Sequence, residues 1–186
     1  MKLKGRRIAI LAADGFEQSE LFTPLDTLKN EGAQVEIVSL KDGEIKGWSD
    51  GSWGKSIDVD KTVDAIKADD YDGLVLPGGV INPDLLRKND RAVEFVREFF
   101  TGEKQKPVAA ICHGPWTLIN AKVIEGRKVT SYDSIRMDLE NAGASWVNEE
   151  VVVDNGLVTS RTPEDLNSFT SKMVEEFREG AHRKES

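Results

Sequence analysis

Short apolar runs alternate along this chain with segments whose apolar positions recur every three or four residues. RIAILAA (7–13) is short, continuous and apolar, the pattern of a strand buried on both faces. Leu21, Leu25 and Leu28 then follow at helical spacing, and Gly32 predicts the end of that helix. QVEIVSL (34–40) alternates as a second strand. Residues 43–60 are rich in Gly, Asp and Ser and predict a hairpin carrying two outward-leaning tryptophans, Trp48 and Trp53. GLVLPGG (73–79) reads as a strand ending in a Pro-Gly-Gly turn. Ala92, Val93, Val96, Phe99 and Phe100 mark the inner side of the next helix. PVAAIC (107–112) is another buried strand, and WTLINAKVI (116–124) the helix after it. VVVD (151–154) and LVTS (157–160) flank Asn155-Gly156, a hairpin turn. Thr162-Pro163-Glu164-Asp165 opens the last helix, with Thr162 as cap, Pro163 at the first helical position and Asp165 reaching back as a capping-box acid. Leu166, Phe169, Met173 and Phe177 form that helix's apolar stripe.

Strands alternating with helices predict a mostly parallel sheet with helices on both faces. No internal repeat, low-complexity stretch or long linker interrupts the pattern. Residues 1–180 therefore read as one α/β domain, and residues 181–186 as a frayed tail. In such sheets sites form at the carboxyl ends of strands. That rule selects Asp14–Glu20, Pro77–Asp84 and Cys112–Trp116.

Composition narrows the chemistry. The chain has 186 residues, 39% hydrophobic and 31% charged, as a globular protein does. No apolar run approaches the roughly 18 residues of a membrane helix, so no membrane association is expected. The N-terminus, MKLKGRRIAILAADG, is basic and then apolar, but Asp14 and Glu17 follow the apolar run at once. It reads as a first strand rather than a targeting segment, with the cytoplasm as the expected compartment. Lys and Arg total 25 against 33 Asp and Glu, a net charge of −8. Such a surface repels phosphate backbones and argues against a nucleic-acid partner. The single cysteine excludes an intrachain disulfide and the Cys₂His₂ and Cys₄ zinc sites. With two histidines, no metal or other cofactor is expected. Chemistry then falls to Cys112, carboxylates, hydroxyls and backbone amides.

Cys112 lies between a buried strand and a helix, in Cys-His-Gly-Pro. This is the pattern of a nucleophile elbow, with Ala110 and Gly114 small enough to make room for a projecting side chain. A helix N-terminus behind the sulfur would favour thiolate, and the backbone amide of His113 would face a developing oxyanion. Free cysteine is also among the most buried residue types, so a structural thiol fits the same spacing. Gly78 and Gly79 let the backbone approach a ligand closely and offer their amides as oxyanion donors, although Pro-Gly is a common turn. In Gly15-Phe16-Glu17-Gln18-Ser19-Glu20, acids in a helix's first turn serve equally as dipole partners. Glu20 is placed one turn in, where a protonated carboxyl would donate a hydrogen bond to thiolate. Successive residues of a turn point differently, so His113 need not be the base for Cys112. His182 lies in the tail and is assigned no role. Trp48 and Trp53 fit an oligomer contact, substrate binding, or packing on the domain's own flank.

AAICHGPWTLI, LVLPGG, GFEQSE and VVVDNGLVTSRTPEDL together resemble the ThiJ/PfpI family, in its PfpI-like branch of intracellular proteases and general stress proteins. The resemblance spans about residues 5–178. It implies a flavodoxin-like three-layer α/β/α sandwich within the class I glutamine amidotransferase-like superfamily. It implies Cys112 as nucleophile, His113 beside it, Glu20 as the carboxyl near the thiol, and Gly78 and Gly79 as oxyanion donors. In PfpI-like oligomers, dimers or hexamers, an acid from a neighbouring subunit completes a Cys-His-acid set. Asp84 matches that position but is shorter than the usual glutamate. Related amidotransferases carry a catalytic His and Glu where this chain reads Ser160-Arg161-Thr162-Pro163-Glu164, so that activity is disfavoured. The family's activities imply three readings. The first is a cofactor-independent glyoxalase- or deglycase-like enzyme acting on small reactive carbonyls or their adducts. The second is an intracellular cysteine peptidase, and the third a redox sensor or holdase chaperone.

Overall fold

The computed structural model describes residues 1–183, with side chains for residues 1–181. The first half comprises β1 (Arg7–Leu11), α1 (Gln18–Asn30), β2 (Gln34–Ser39), β3 (Glu44–Ser49), β4 (Ser52–Asp58), β5 (Lys61–Thr62) and β6 (Gly73–Leu76). The second comprises α2 (Ile81–Arg87), α3 (Asp90–Thr101), β7 (Val108–Ile111), α4 (Trp116–Asn120), α5 (Arg136–Asn141), β8 (Val151–Asp154), β9 (Leu157–Ser160) and α6 (Leu166–Glu179). Seven strands form one sheet in the order β8-β9-β7-β6-β1-β2-β5. Every pairing in it is parallel except β8 with β9. Helices cover both faces, which makes this a flavodoxin-like α/β fold, as the resemblance implies.

The apolar strands alternate between two separate cores. Ile8, Ile10, Val75, Ala109, Ile111 and Val158 face α1 and α6, against Leu21, Leu25, Phe169, Met173 and Phe177. Ala9, Leu11, Leu74, Leu76, Val108 and Ala110 face α3 and α4, against Phe95, Val96, Phe99 and Leu118. A period of two on a sheet covered on both sides produces the continuous apolar runs. Burying one such large side chain stabilises the fold by about 2 kcal/mol. The β3–β4 hairpin stands apart from the main sheet. It is tied back where Phe16–Glu17 pairs in parallel with Gly47–Trp48. Lys46 N–H also donates to Asp14 Oδ1 at 2.8 Å.

Several local readings differ in the structure. The helix expected over 116–124 ends at Asn120. Lys122 takes a left-handed φ of +59°. Lys122 N–H bonds to Ile119 C=O at 3.0 Å and Val123 N–H to Leu118 C=O at 3.4 Å, a Schellman cap built without glycine. Thr162 makes no side-chain cap. Asp165 passes over the Thr162 amide and accepts instead from Arg161, through its backbone N–H at 3.1 Å, Nε at 2.9 Å and Nη2 at 3.0 Å. A charged bidentate partner outcompetes a neutral cap. The segment between β6 and α3 contains α2, which the pattern did not reveal. Trp48 is half-buried rather than outward-leaning, whereas Trp53 is exposed. Of the tail expected to fray, the backbone of His182–Arg183 pairs antiparallel with Lys104–Gln105, and 184–186 lie outside the described residues. Among the described residues no helix is long and apolar enough to cross a membrane.

Candidate active site

The carboxyl ends of β1, β6 and β7 meet at one cleft of about 440 Å³. Gly79, Glu20, Cys112 and His113 line it, with Trp48, Ile81 and Tyr132 among its walls. Cys112 leaves β7 with φ +63°, a left-handed backbone that costs a non-glycine residue of order 1 kcal/mol. The turn is held from three sides. Cys112 N–H donates to Ser160 C=O at 3.0 Å, Gly114 N–H to Ile111 C=O at 2.9 Å, and Tyr132 N–H to Cys112 C=O at 2.9 Å. A side chain at Gly114 would place Cβ only 2.4 Å from the Leu76 carbonyl oxygen. That glycine lets the elbow press against β6.

The strained turn folds His113 back over the sulfur. Its Nδ1 lies 3.2 Å from Cys112 Sγ, so the adjacent histidine does reach its own cysteine. The ring is stacked on Tyr132 at 4.7 Å and meets the edge of Trp116 at 5.4 Å. Burial lowers its pKa, keeping the imidazole neutral, with the charge of Asp133 opposing.

Glu20 is fully buried in α1, and its Oε1 accepts the Gly78 N–H at 3.0 Å. Burial and the charge of Glu17 push its pKa up to about 8, against the Gly78 hydrogen bond and a hydrogen bond with Cys112. Its Oε2 has no hydrogen-bond partner among the described residues. The carboxyl therefore keeps its proton at neutral pH and can donate it toward sulfur. Burial and a Glu20 carboxylate push the Cys112 thiol up, whereas the Gly79 and His113 amides oppose them. The expected activation of the thiol is corrected: burial and a Glu20 carboxylate outweigh the amides that face the sulfur.

The oxyanion reading is corrected too. The Gly78 amide is committed to Glu20, so the donors facing the sulfur are Gly79 and His113. Gly79 has φ +78°, and a Cβ there would fall 2.3 Å from the Gly15 carbonyl oxygen. Asp84 is not brought to the cleft. It faces outward on α2 and pairs with Arg87 at 3.2 Å. Any role for it belongs to a second copy of the chain.

Three contributors escaped the sequence pattern. Asn82 is fully buried and accepts the Ala13 N–H at 2.7 Å. Its Nδ2 donates to the Pro77 and Gly78 carbonyls at 3.0 Å each, locking the double-glycine turn to the end of β1. A lone Asn just after Pro-Gly-Gly was the available signal. Tyr132 and Ser134 come from a distant segment and left none. Ser134 Oγ lies 3.2 Å from His113 Nε2.

A family model described as the DJ-1/PfpI family matches residues 6–176, and the chain belongs to that family. It is 47% identical over 168 residues to Deglycase PfpI of Pyrococcus furiosus, covering 90% of this chain and 97% of that one. It is 44% identical over 171 residues to General stress protein 18 of Bacillus subtilis, covering 91% and 96%. The crystal structure of Drosophila melanogaster DJ-1beta matches with a TM-score of 0.83 at 29% identity, over 93% of this chain and 90% of that one.

Proposed function

We propose that this protein is a cysteine-dependent, cofactor-independent stress-protection enzyme acting on small reactive aldehydes or their adducts. The observation that carries the reading is the surrounding of Cys112 Sγ. A protonated Glu20, the His113 Nδ1 at 3.2 Å and the Gly79 and His113 amides converge on one sulfur at the head of a small apolar cleft. Relatives named as deglycases and as a general stress protein support the class of substrate and the role.

With methylglyoxal, sulfur forms a bond to the aldehyde carbon as the thiol proton passes to His113 Nδ1. The carbonyl π pair moves to oxygen, which the Gly79 and His113 amides hold, and protonation there gives the hemithioacetal. His113, or Glu20 once it has given its proton to the oxyanion, removes the hydrogen from that carbon and returns a proton to the neighbouring one, while the ketone oxygen gains the proton that the first hydroxyl gives up. The result is a thioester of lactate, and water cleaves it to lactate and free thiol. The test is lactate formation from methylglyoxal by the wild type and by Cys112→Ser. Turnover that survives Cys112→Ser would sink the mechanism.

A further inference from the structure

We propose that Trp48 sets the substrate preference of this site, selecting α-oxoaldehydes with an aromatic substituent, of the phenylglyoxal type, over methylglyoxal. The proposal rests on the reading of the cleft as a site for reactive aldehydes, and it assigns the part of the cleft that the aldehyde group leaves free. A three-carbon aldehyde at Cys112 fills little of a cleft of about 440 Å³, a volume that suits a larger ligand. The groups that do chemistry gather around the sulfur. The other side chains of the lining are chiefly apolar: Trp48, Val80, Ile81, Tyr132 and Pro163. Glu17, half-buried, is the one further charged side chain there, and it disfavours an anionic substituent. A flat, neutral ring attached to the carbonyl matches these walls and leaves water on entering.

The indole is built into the wall by its own hairpin. β3 and β4 pair Lys46 with Ser56 and then Trp48 with Trp53, so β4 carries one extra residue. Such a bulge re-aims the side chains beside it. Gln18 ties it down, its Oε1 accepting the Lys55 N–H at 2.7 Å. The shifted register sets Trp48 across from Trp53, and the two rings meet edge to face at 5.3 Å and 84°. Trp53 is 49% exposed and braces its neighbour, whereas Trp48 is half-buried and lines the cleft. On its other side β3 is held by the parallel pairing of Gly47–Trp48 with Phe16–Glu17, and by the Gly15 N–H, which donates to the Lys46 C=O at 2.8 Å. Glu17 leads directly into α1, which carries Glu20, so the ring and the acid are fixed by one continuous segment. A ring held in advance loses little freedom when a substrate stacks on it.

Steady-state kinetics with phenylglyoxal and methylglyoxal test the preference. The wild type is expected to favour phenylglyoxal in kcat/KM by about 10-fold, the worth of one aromatic contact, through KM rather than kcat. Trp48→Ala should erase that preference, and Trp48→Phe, which keeps a ring, should retain most of it. A wild type without the preference overturns the proposal. So does a Trp48→Ala variant that keeps the preference, or one that loses it through kcat. Binding is also read without turnover and without any variant. The neutral ketones α-hydroxyacetophenone and hydroxyacetone copy the two substrates but lack the aldehyde. In nitrogen-15 spectra of the wild type, the Trp48 indole signal should move with α-hydroxyacetophenone at about 10-fold lower concentration than with hydroxyacetone. A signal that neither ketone moves, or that both move equally, overturns the proposal. Failure of the nucleophile reading is separate: the same titration of Cys112→Ser reports the preference whether or not that variant turns over aldehyde.

Discussion

Gly78 gives its backbone N–H to Oε1 of Glu20 at 3.0 Å, across a gap that admits no side chain. A Cβ at Gly78 would lie 2.5 Å from that same oxygen and 2.7 Å from Cys112 Cβ. The turn thus fixes which carboxyl oxygen is occupied and leaves the other without a hydrogen-bond partner. The amide that looked like an oxyanion donor serves instead to aim the acid.

Because Glu20 titrates near pH 8 beside Cys112, the thiol should feel that ionisation. The rate of Cys112 alkylation against pH is expected to show a step near pH 8 in the wild type. Glu20→Gln, which keeps the Gly78 bond and stays neutral, should remove that step. A step that persists in the variant would place the ionising group elsewhere.

Glu20 also makes stability depend on pH. Its folded pKa, about 8, is raised above the unfolded value near 4.5. The folded state therefore holds a proton that the unfolded state has released between those values. The contribution is fully present below pH 4.5 and is lost as pH rises toward 8, a total of several kcal/mol. Urea unfolding at pH 5 and pH 9 should show a smaller fall for Glu20→Gln than for the wild type. Equal falls would contradict the assignment.

The φ of +63° at Cys112 predicts a difference between two variants that both lack the thiol. Cys112→Gly relieves the left-handed strain and Cys112→Ala keeps it. Glycine should be the more stable of the two by about 1 kcal/mol, although glycine normally costs entropy. Thermal unfolding compares them, and an alanine variant of equal or higher stability would show that the turn is unstrained.

Gly79→Ala should be far more damaging. Beyond its positive φ, the new Cβ would meet the Gly15 carbonyl oxygen at 2.3 Å and the Glu17 nitrogen at 2.7 Å. Both are backbone atoms and neither swings aside. A loss of about 2 kcal/mol or more is expected, together with slower Cys112 alkylation as the amide is displaced. Calorimetry and intact mass measure the two effects separately.

Asp165 is buried against Arg161 and accepts three hydrogen bonds from it. Asp165→Ala leaves that backbone N–H and guanidinium without their carboxylate, at a cost of about 2 kcal/mol. The urea midpoint should fall, while the rate of Cys112 alkylation stays as in the wild type.

Patterning along the chain determined the frame. Continuous apolar runs at 7–13, 73–79 and 107–112 specify strands covered on both faces, and the helical spacing of Leu166, Phe169, Met173 and Phe177 specifies the helix that covers one of them. Glycines at 78, 79 and 114 mark close approach because only a missing Cβ allows it. These rules are local, with periods of two and 3.6 residues, and one dimension suffices to read them. The tertiary structure alone decided where the polar groups point. It turned the Gly78 amide toward Glu20, brought Asn82 back to Ala13, laid Tyr132 and Ser134 on His113, and left Asp84 outside. A hydrogen bond requires a partner at a given distance and direction, and those partners come from segments far apart in sequence.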